Sequence, residues 1–291
     1  MEEEIIQINL KHEVVDESFE HGMTERAAFV ATLDEHQFCY FVLDLARRKV
    51  VVMKDYHIIQ GSGTSLGFFK SIIEQDEILG NLQAEKIIFG IHSNCSTFIP
   101  DPLFSKDHME EALKLVCRPE ASDNIYEDHI KIADTHLIYN VPESFLKETG
   151  DIFKEAILFN AKSNFIEMQL MMNKHRQLPF LAVNVRKHKM DILVCKGNEL
   201  LFCNTFEQHT GEDFIYYLLY VMEQMQLSPD VNQVMVYGEI DRNSSAWLVA
   251  QKYIRYISLG EKPDNIEYSY GFSNISSSQY HLLFTQALCV L

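Results

Sequence analysis

The stretch from Pro179 to Gly238 constrains the fold more than any other part of this chain. It contains, in order, LAVNV, RKHK, MDILV, CKGNE, LLFCNTF, TGEDFIYYLLYVMEQMQ and VNQVMVYG. Short apolar runs separated by charged or glycine-containing turns are typical of consecutive β-strands, and apolar residues spaced near 3.6 positions indicate a helix. The stretch therefore predicts three strands, a helix and a fourth strand, which is a β-β-β-α-β module.

An earlier stretch has the same order of elements. FVATLDEHQFCYFVLDLARRKVVVM predicts three strands, TSLGFFKSIIEQDEIL predicts a helix, and KIIFGIHS predicts a fourth strand. When FCYFV is aligned with MDILV, Thr32 coincides with Asn184, Asp34 with Arg186, His36 with His188, Gly90 with Gly238, and Gly63 falls near Gly211. The sequence therefore predicts an α/β protein built from two ribonuclease H-like modules.

The duplication divides the chain into two predicted lobes, residues 27–178 and 179–291, with the polar bridge Lys174–Gln177 just before the boundary. We expect a small insertion in the first lobe at about 101–134, whose polar residues 118–134 predict loops around a short helix. Residues 276–290 predict a C-terminal helix in the second lobe. The acidic segment 1–26 contains the run EIIQINL, which predicts either an added edge strand or part of a loosely ordered tail.

Composition limits the partners and the surroundings. The chain has 42 acidic and 25 basic residues, so its formal charge of −17 disfavours nucleic acids and anionic membranes. Its acidic start is unlike a signal peptide, and no apolar run reaches the ~20 residues of a membrane span, so we expect no direct membrane insertion. The six cysteines show no paired spacing. These features predict a reduced, cytoplasmic protein.

Several of these segments resemble a known group of proteins. LAVNVRKHKMDILVCKGNELLFCNTFEQHTGEDFIYYL resembles the second-lobe phosphate-binding segment of PilM-type pilus-assembly proteins and their relative FtsA. THLIYNVPESFLKETGDIFKEAILFNAKSNFIEMQLM and KIIFGIHSNCSTFIPDPLF resemble first-lobe segments of the same group. From about residue 27 onwards, the chain is similar to an uncharacterised family of Bacteroidetes proteins. The resemblance implies a two-lobed actin-like ATPase fold.

ATPases of this fold need glycine turns that let backbone N–H groups approach phosphates, and carboxylates that hold Mg²⁺. At the matching positions this chain has Asn184 and Arg186 in the second lobe, and Thr32 or Asp34 in a first-lobe turn without glycine. In these ATPases a Gly-Gly turn after the last strand lies against adenine, and this chain retains only Gly238, followed by Glu239 and Ile240. A second Gly-Gly pair opens the helix of the second lobe, and this chain has Thr210-Gly211 in its place. Each of these turns departs from the pattern that nucleotide binding requires.

Other candidate groups are weaker. His92 and Cys95 have a metal-like spacing without a second pair, so no metal site is predicted. Glu207 and His209 form a possible acid–base pair, and Gly61–Ser65 a possible phosphate loop. Arg186–Lys189 could hold a phosphate or an acidic partner, or form a solvated hairpin tip. Phe214, Tyr217 and Tyr220 predict a core face of a helix, with a binding patch of the outer tyrosines as the alternative. A two-metal nuclease would use Asp34, Asp44 and Asp55, but the last two are predicted to lie beyond the far ends of their strands. A sugar or acetate kinase would retain the missing glycine turns.

The sequence favours a catalytically degenerate actin-like scaffold that binds a protein partner, with no catalytic residues and no cofactor. If the family's mode of contact carries over, residues 101–134 and the acidic N-terminal segment are the expected contact regions. The alternative is an ATPase with weak or altered hydrolysis that binds ATP and Mg²⁺ through Asp34, Arg186, Gly211 and Gly238. The partner, the pathway and the oligomeric state are left open by the sequence.

Overall fold

The computed structural model describes residues 7–19, 26–60, 68–149, 155–276 and 278–289. Within them, the first lobe has a seven-stranded sheet with the order β1-β4-β3-β2-β5-β9 and β15 beside β4. The predicted phosphate loop at Gly61–Ser65, with Gly63, lies outside the described residues. The strands of this sheet are β1 (Gln7–Val15), β2 (Ala27–Asp34), β3 (Gln37–Asp44), β4 (Lys49–Gln60), β5 (Lys86–Ile91), β9 (Ile157–Asn160) and β15 (Glu267–Tyr268).

The second lobe has a five-stranded sheet with the order β12-β11-β10-β13-β14. Its strands are β10 (Phe180–Arg186), β11 (Lys189–Lys196), β12 (Glu199–Glu207), β13 (Val234–Gly238) and β14 (Ile257–Leu259). The described helices of the two lobes are α1 (Phe68–Gln75), α2 (Glu77–Gly80), α4 (Glu143–Thr149), α5 (Ala161–Asn173), α6 (Gly211–Gln224), α7 (Ser245–Tyr253) and α8 (His281–Gln286).

The two sheets confirm the predicted duplication. The order β4-β3-β2-β5 in the first lobe matches β12-β11-β10-β13 in the second. In both, the first two strands of the module pair antiparallel, and the strand after the helix pairs parallel with the first strand. Nearly every residue of β2 and β10 is buried, as expected for central strands that are covered on both faces. The chain therefore has the expected two-lobed actin-like architecture.

Helix α5 joins the two lobes through a shared core. Its residues Phe165 and Ile166 are buried in one apolar cluster with Phe38 of the first lobe and with Phe180 and Leu193 of the second. Burying side chains of this size is worth roughly 1.5–3 kcal/mol each. The lobes are therefore held by a continuous core as well as by the chain connection.

The inserted subdomain differs from its prediction. It contains β6 (Ser96–Pro100), α3 (Met109–Lys114), β7 (Asn124–Ile130) and β8 (Thr135–Val141), and its three-stranded sheet has the order β6-β8-β7. The polar stretch predicted as loops around a short helix therefore forms strand β7, followed by a single 3-10 turn. Its side chains are mostly half-exposed, so β7 lacks the apolar run by which the buried strands were recognised.

Cys95 and Cys117 form a disulfide across 22 residues of sequence. It connects the start of β6 to the segment that follows α3, and both sulfurs lie beside the small core around Leu113 and Ile138. The expectation of unpaired, reduced cysteines was therefore wrong for these two. A spacing that matches no motif does not reveal which residues the fold brings together.

Strand β4 is also longer than the predicted Val50–Met53, because charged residues continue it. Lys54 is buried and donates to Asp76 at 3.2 Å, and the buried Asp55 accepts from Gln37 at 2.8 Å and from Tyr280 at 2.5 Å. Asp55 thus lies inside its strand and not beyond the end of it. Asp44 is the last residue of β3, at the opposite end of that strand from the hairpin that contains Asp34.

The chain returns to the first lobe after β14. Strand β15 pairs parallel with β4, and Tyr280, Leu283 and Phe284 pack against the first-lobe sheet beside Phe41. The C-terminal helix was expected in the second lobe over 276–290, but α8 spans His281–Gln286 and covers the first lobe. At the other end of the chain, β1 pairs antiparallel with β4; it begins within the run EIIQINL and continues beyond it to Val15. No helix among the described residues is long and apolar enough to cross a membrane.

The disulfide gives a direct test of the subdomain. We expect the non-reduced, unfolded protein to show two fewer reactive thiols than the reduced protein, as measured with a thiol-specific chromophore. The double variant C95A/C117A should lower the free energy of unfolding by about 3 kcal/mol, because the closed loop of the unfolded chain is lost. Equal thiol counts before and after reduction would contradict the pairing.

Candidate functional site between the lobes

The ends of β2 and β10 face each other across the cleft between the lobes. Asp34 is the last residue of β2, and Arg186 is the last residue of β10. The Arg186 guanidinium donates from Nη1 to Asp34 Oδ2 at 2.5 Å, and from Nε and Nη2 to the two oxygens of Asp191 at 3.2 and 3.3 Å. All three side chains are nearly buried. Asp34 and Arg186, which the alternative function assigns to nucleotide binding, therefore form an ion pair with each other.

The electrostatics of this triad favour the charged state of each member. Burial opposes ionisation of Asp34 and Asp191, but the positive charge of Arg186, together with other nearby cations and the hydrogen bonds that the carboxyls accept, holds the pKa of both below the usual range. Thr205 Oγ1 also donates to Asp191 at 2.6 Å. Burial and the same guanidinium lower the pKa of the neighbouring His92 to about 3, so this ring is neutral near pH 7.

A second set of contacts between the lobes surrounds the triad. Lys189 Nζ donates to Glu35 Oε2 at 3.0 Å and also to the side-chain oxygen of Asn94. The rings of His36 and His188, which the duplication also aligned, meet edge to face with centroids 5.7 Å apart. The two hairpin tips thus contact each other, and Arg186 and Lys189 do not project freely into solvent as a phosphate grip.

The C-terminal segment fills the rest of the cleft. Gln286 Nε2 donates to Thr32 Oγ1 at 3.0 Å, and the backbone N–H of Gly238 donates to the Ser278 carbonyl at 2.9 Å. The cavity that remains beside Asp34 and Arg186 measures about 40 Å³. Ligand pockets usually measure roughly 300–1,000 Å³. Among the described residues, the cavity is therefore much smaller than an ordinary ligand pocket.

The two predicted cofactor-binding glycines are required by the protein's own packing. Gly238 has φ of 88°, and a Cβ at this position would lie 2.0 Å from the Val185 carbonyl oxygen. A Cβ on Gly211 would lie 2.9 Å from the Ser245 backbone, where α6 crosses α7. The N-terminus of α6 is already capped, since Thr210 and Asp213 accept hydrogen bonds from each other's backbone N–H.

The remaining candidates are separated or committed to other partners. Cys95 is bonded to Cys117, so it is not available to a metal together with His92. His209 Nδ1 lies 3.3 Å from His188 Nδ1, whereas Glu207 pairs with Lys189 across the β11–β12 ladder. Phe214 is buried and Tyr217 packs against the same core, as the core interpretation expected, whereas Tyr220 is 45% exposed and departs from it. Asp34, Asp44 and Asp55 do not form one cluster, which leaves the nuclease interpretation without its metal ligands.

Sequence reasoning missed the residues that fill the cleft. Ser278, Tyr280 and Gln286 lie far along the chain from the positions that they contact, and no local motif marks them. Asp191 was also missed, although its place inside the apolar run MDILV is a signal, because a carboxylate in a buried strand requires a partner.

The triad predicts a large effect of a single change. R186A leaves two buried carboxylates without their cation and should lower the free energy of unfolding by about 3–5 kcal/mol. The triple variant R186M/D34N/D191N removes all three charges with similar volume and should regain most of this loss. Denaturant unfolding measures both. A loss below about 1 kcal/mol for R186A, the size expected of a surface ion pair, would contradict the buried triad.

The pH dependence of D34N tests the same contact. The pKa of Asp34 is lowered in the folded protein, so its ionised form contributes stability at pH values above its unfolded pKa of 3.8. This contribution is lost as the pH falls through the folded pKa, because the native state must then take up a proton. We expect D34N to be less stable than wild type at pH 7 and the difference to shrink below about pH 4. A difference that does not vary with pH would contradict the ionic contact.

Comparison with known proteins supports the fold. A Bacteroides thetaiotaomicron protein with an actin-like ATPase fold and unknown function aligns with 83% of this chain and 93% of its own, with a TM-score of 0.74 and 18% identity. A chain of the PilM–PilN type IV pilus biogenesis complex aligns with 90% of this chain and 98% of its own, with a TM-score of 0.58 and 8% identity. A search of curated proteins finds no significant match. The family profile described as protein of unknown function (DUF3822) matches residues 16–257, and the chain belongs to that family.

Proposed function

We propose that this protein is a two-lobed actin-like scaffold that does not turn over ATP and that binds a protein partner. The observation that carries the proposal is the filled cleft. Thr32 and Gly238 are bonded to the C-terminal segment, and Arg186 is bonded to Asp34 and Asp191. The groups that a nucleotide would need are thus already used within the chain.

The charge of the cleft supports the same conclusion. The cavity is lined by Asp34 and Glu239 as well as by Arg186, and Asp191 lies against the guanidinium. Arg186 is the only lysine or arginine among the described residues that line the cavity, and its guanidinium is already paired with two carboxylates. A triphosphate carries several negative charges, and a buried site with a negative balance repels it.

The inserted subdomain has the surface that a partner would use. Leu103 and Leu115 are 75% and 87% exposed, and Val116 is 58% exposed. We call these three residues the subdomain apolar patch. Contiguous exposed apolar surface marks interaction sites, and three such side chains within one small subdomain support the proposal that a partner binds there. The PilM structure is that of a complex with PilN, which is a precedent for partner binding by a protein of this fold.

The proposal predicts a partner that depends on this patch. The tagged wild-type protein should enrich a defined protein from cells of its source, and cross-links to it should map to residues 101–134. The double variant L103D/L115D should lose the enrichment, because a buried charge without a partner opposes association. The control L248D changes an equally apolar residue of the second lobe, which is 50% exposed, and should retain it. Enrichment that survives L103D/L115D, or no enrichment by wild type, would refute this mode of binding.

A further inference from the structure

Three polar side chains of the inserted subdomain lie close together. His129 and His136 are directly opposite each other on β7 and β8, and their rings stack with centroids 4.3 Å apart. Asp101 follows β6, and its Oδ1 lies 2.8 Å from His136 Nε2 and 3.5 Å from His129 Nε2. Each residue thus offers one ligand atom, and the three atoms lie within 4.8 Å of one another.

The central ring of this cluster, His136, is held in a fixed orientation. Its side chain is only 7% exposed, its Nδ1 lies 2.6 Å from Glu127 Oε1, and Phe104 stacks on it at 3.7 Å. A neutral imidazole has a single N–H. If Nδ1 carries this hydrogen and donates it to Glu127, the lone pair of Nε2 faces the carboxylate of Asp101. The nitrogen and the carboxylate oxygen are then two electron-pair donors in contact. A second proton or a metal ion between them removes this repulsion.

We propose that Asp101, His129 and His136 bind a divalent transition-metal ion of the zinc class. Zinc takes imidazole nitrogen and carboxylate oxygen at about 2.0–2.2 Å in a tetrahedron, which places neighbouring ligand atoms about 3.3 Å apart. The two contacts of Asp101 bracket that spacing, whereas the rings of His129 and His136 are parallel within 5°, so the exposed His129 has to turn for both nitrogens to point at one ion. Glu127 is a positioning residue, because a carboxylate on the far nitrogen fixes the tautomer and the direction of a metal-binding histidine.

The site has three protein ligands and one open position. Asp101 and His129 are 52% and 38% exposed at their side chains, so the open position faces solvent and accepts water or a ligand from another molecule. The metal would connect the end of β6 to both other strands of the subdomain sheet. It would therefore stabilise the surface that carries Leu103, whether or not the cleft binds a nucleotide.

The test uses the full-length protein after chelator treatment, titrated with Zn²⁺ by calorimetry and with Co²⁺ by visible absorption. We expect one ion per chain, the ligand-field bands of tetrahedral Co²⁺, and a higher unfolding temperature with Zn²⁺. D101N and H129A should lower the affinity by more than about 100-fold, and E127Q should lower it by about 10–100-fold. These changes are at exposed or half-exposed positions, so folding can be confirmed from the unfolding transition without metal.

The chain provides two matched controls. H209A alters the other histidine group, His36, His188 and His209 at the mouth of the cleft, and H108A alters an exposed histidine near α3. Both variants should bind Zn²⁺ as wild type does. Absence of binding by wild type would overturn the proposal. Binding that is lost in H209A but kept in D101N and H129A would also overturn it.

Discussion

The buried ion triad of Asp34, Arg186 and Asp191 is the interaction on which the relation between the two lobes depends. Moving one cation and two carboxylates out of water carries a large desolvation penalty, which is offset only while all three remain in contact. The triad joins the equivalent hairpins of the duplicated modules, 152 residues apart in sequence. In this way the chain uses the two positions at the centre of the cleft to hold its own lobes together.

The C-terminal segment completes this arrangement. It leaves the second lobe after β14, pairs with the first-lobe sheet through β15, and places Ser278 and Gln286 against Gly238 and Thr32. The segment is anchored by buried Tyr280 and Phe284, so it cannot leave the cleft without exposing apolar surface of the first lobe. The proposed partner would therefore bind the outer surfaces, among which the inserted subdomain combines exposed apolar residues, a disulfide and a histidine–carboxylate cluster.

The sequence predicted the fold where apolar patterns repeat, and it failed where the deciding contacts are long-range. The modules were recognisable because β2, β3, β10 and β11 are buried on both faces. Strand β7 was missed because its half-exposed side chains resemble those of a loop. Strand β4 was predicted to end before Lys54 because the partner of that charge, Asp76, lies 22 residues further along the chain, after α1. The pairing of Cys95 with Cys117 and the approach of Asp101 to His136 depend on how the subdomain folds, which no spacing in the sequence encodes.

Calorimetric titration of the folded protein with Mg²⁺–ATP tests the central claim most directly. If the triad and the C-terminal segment close the cleft, the titration gives no saturable heat, and no phosphate is released by the same sample. A native unfolding transition in that sample shows that the absence of binding heat and of phosphate release is not a result of misfolding. Saturable binding of one nucleotide per chain with a micromolar Kd, about −8 kcal/mol, would contradict the account.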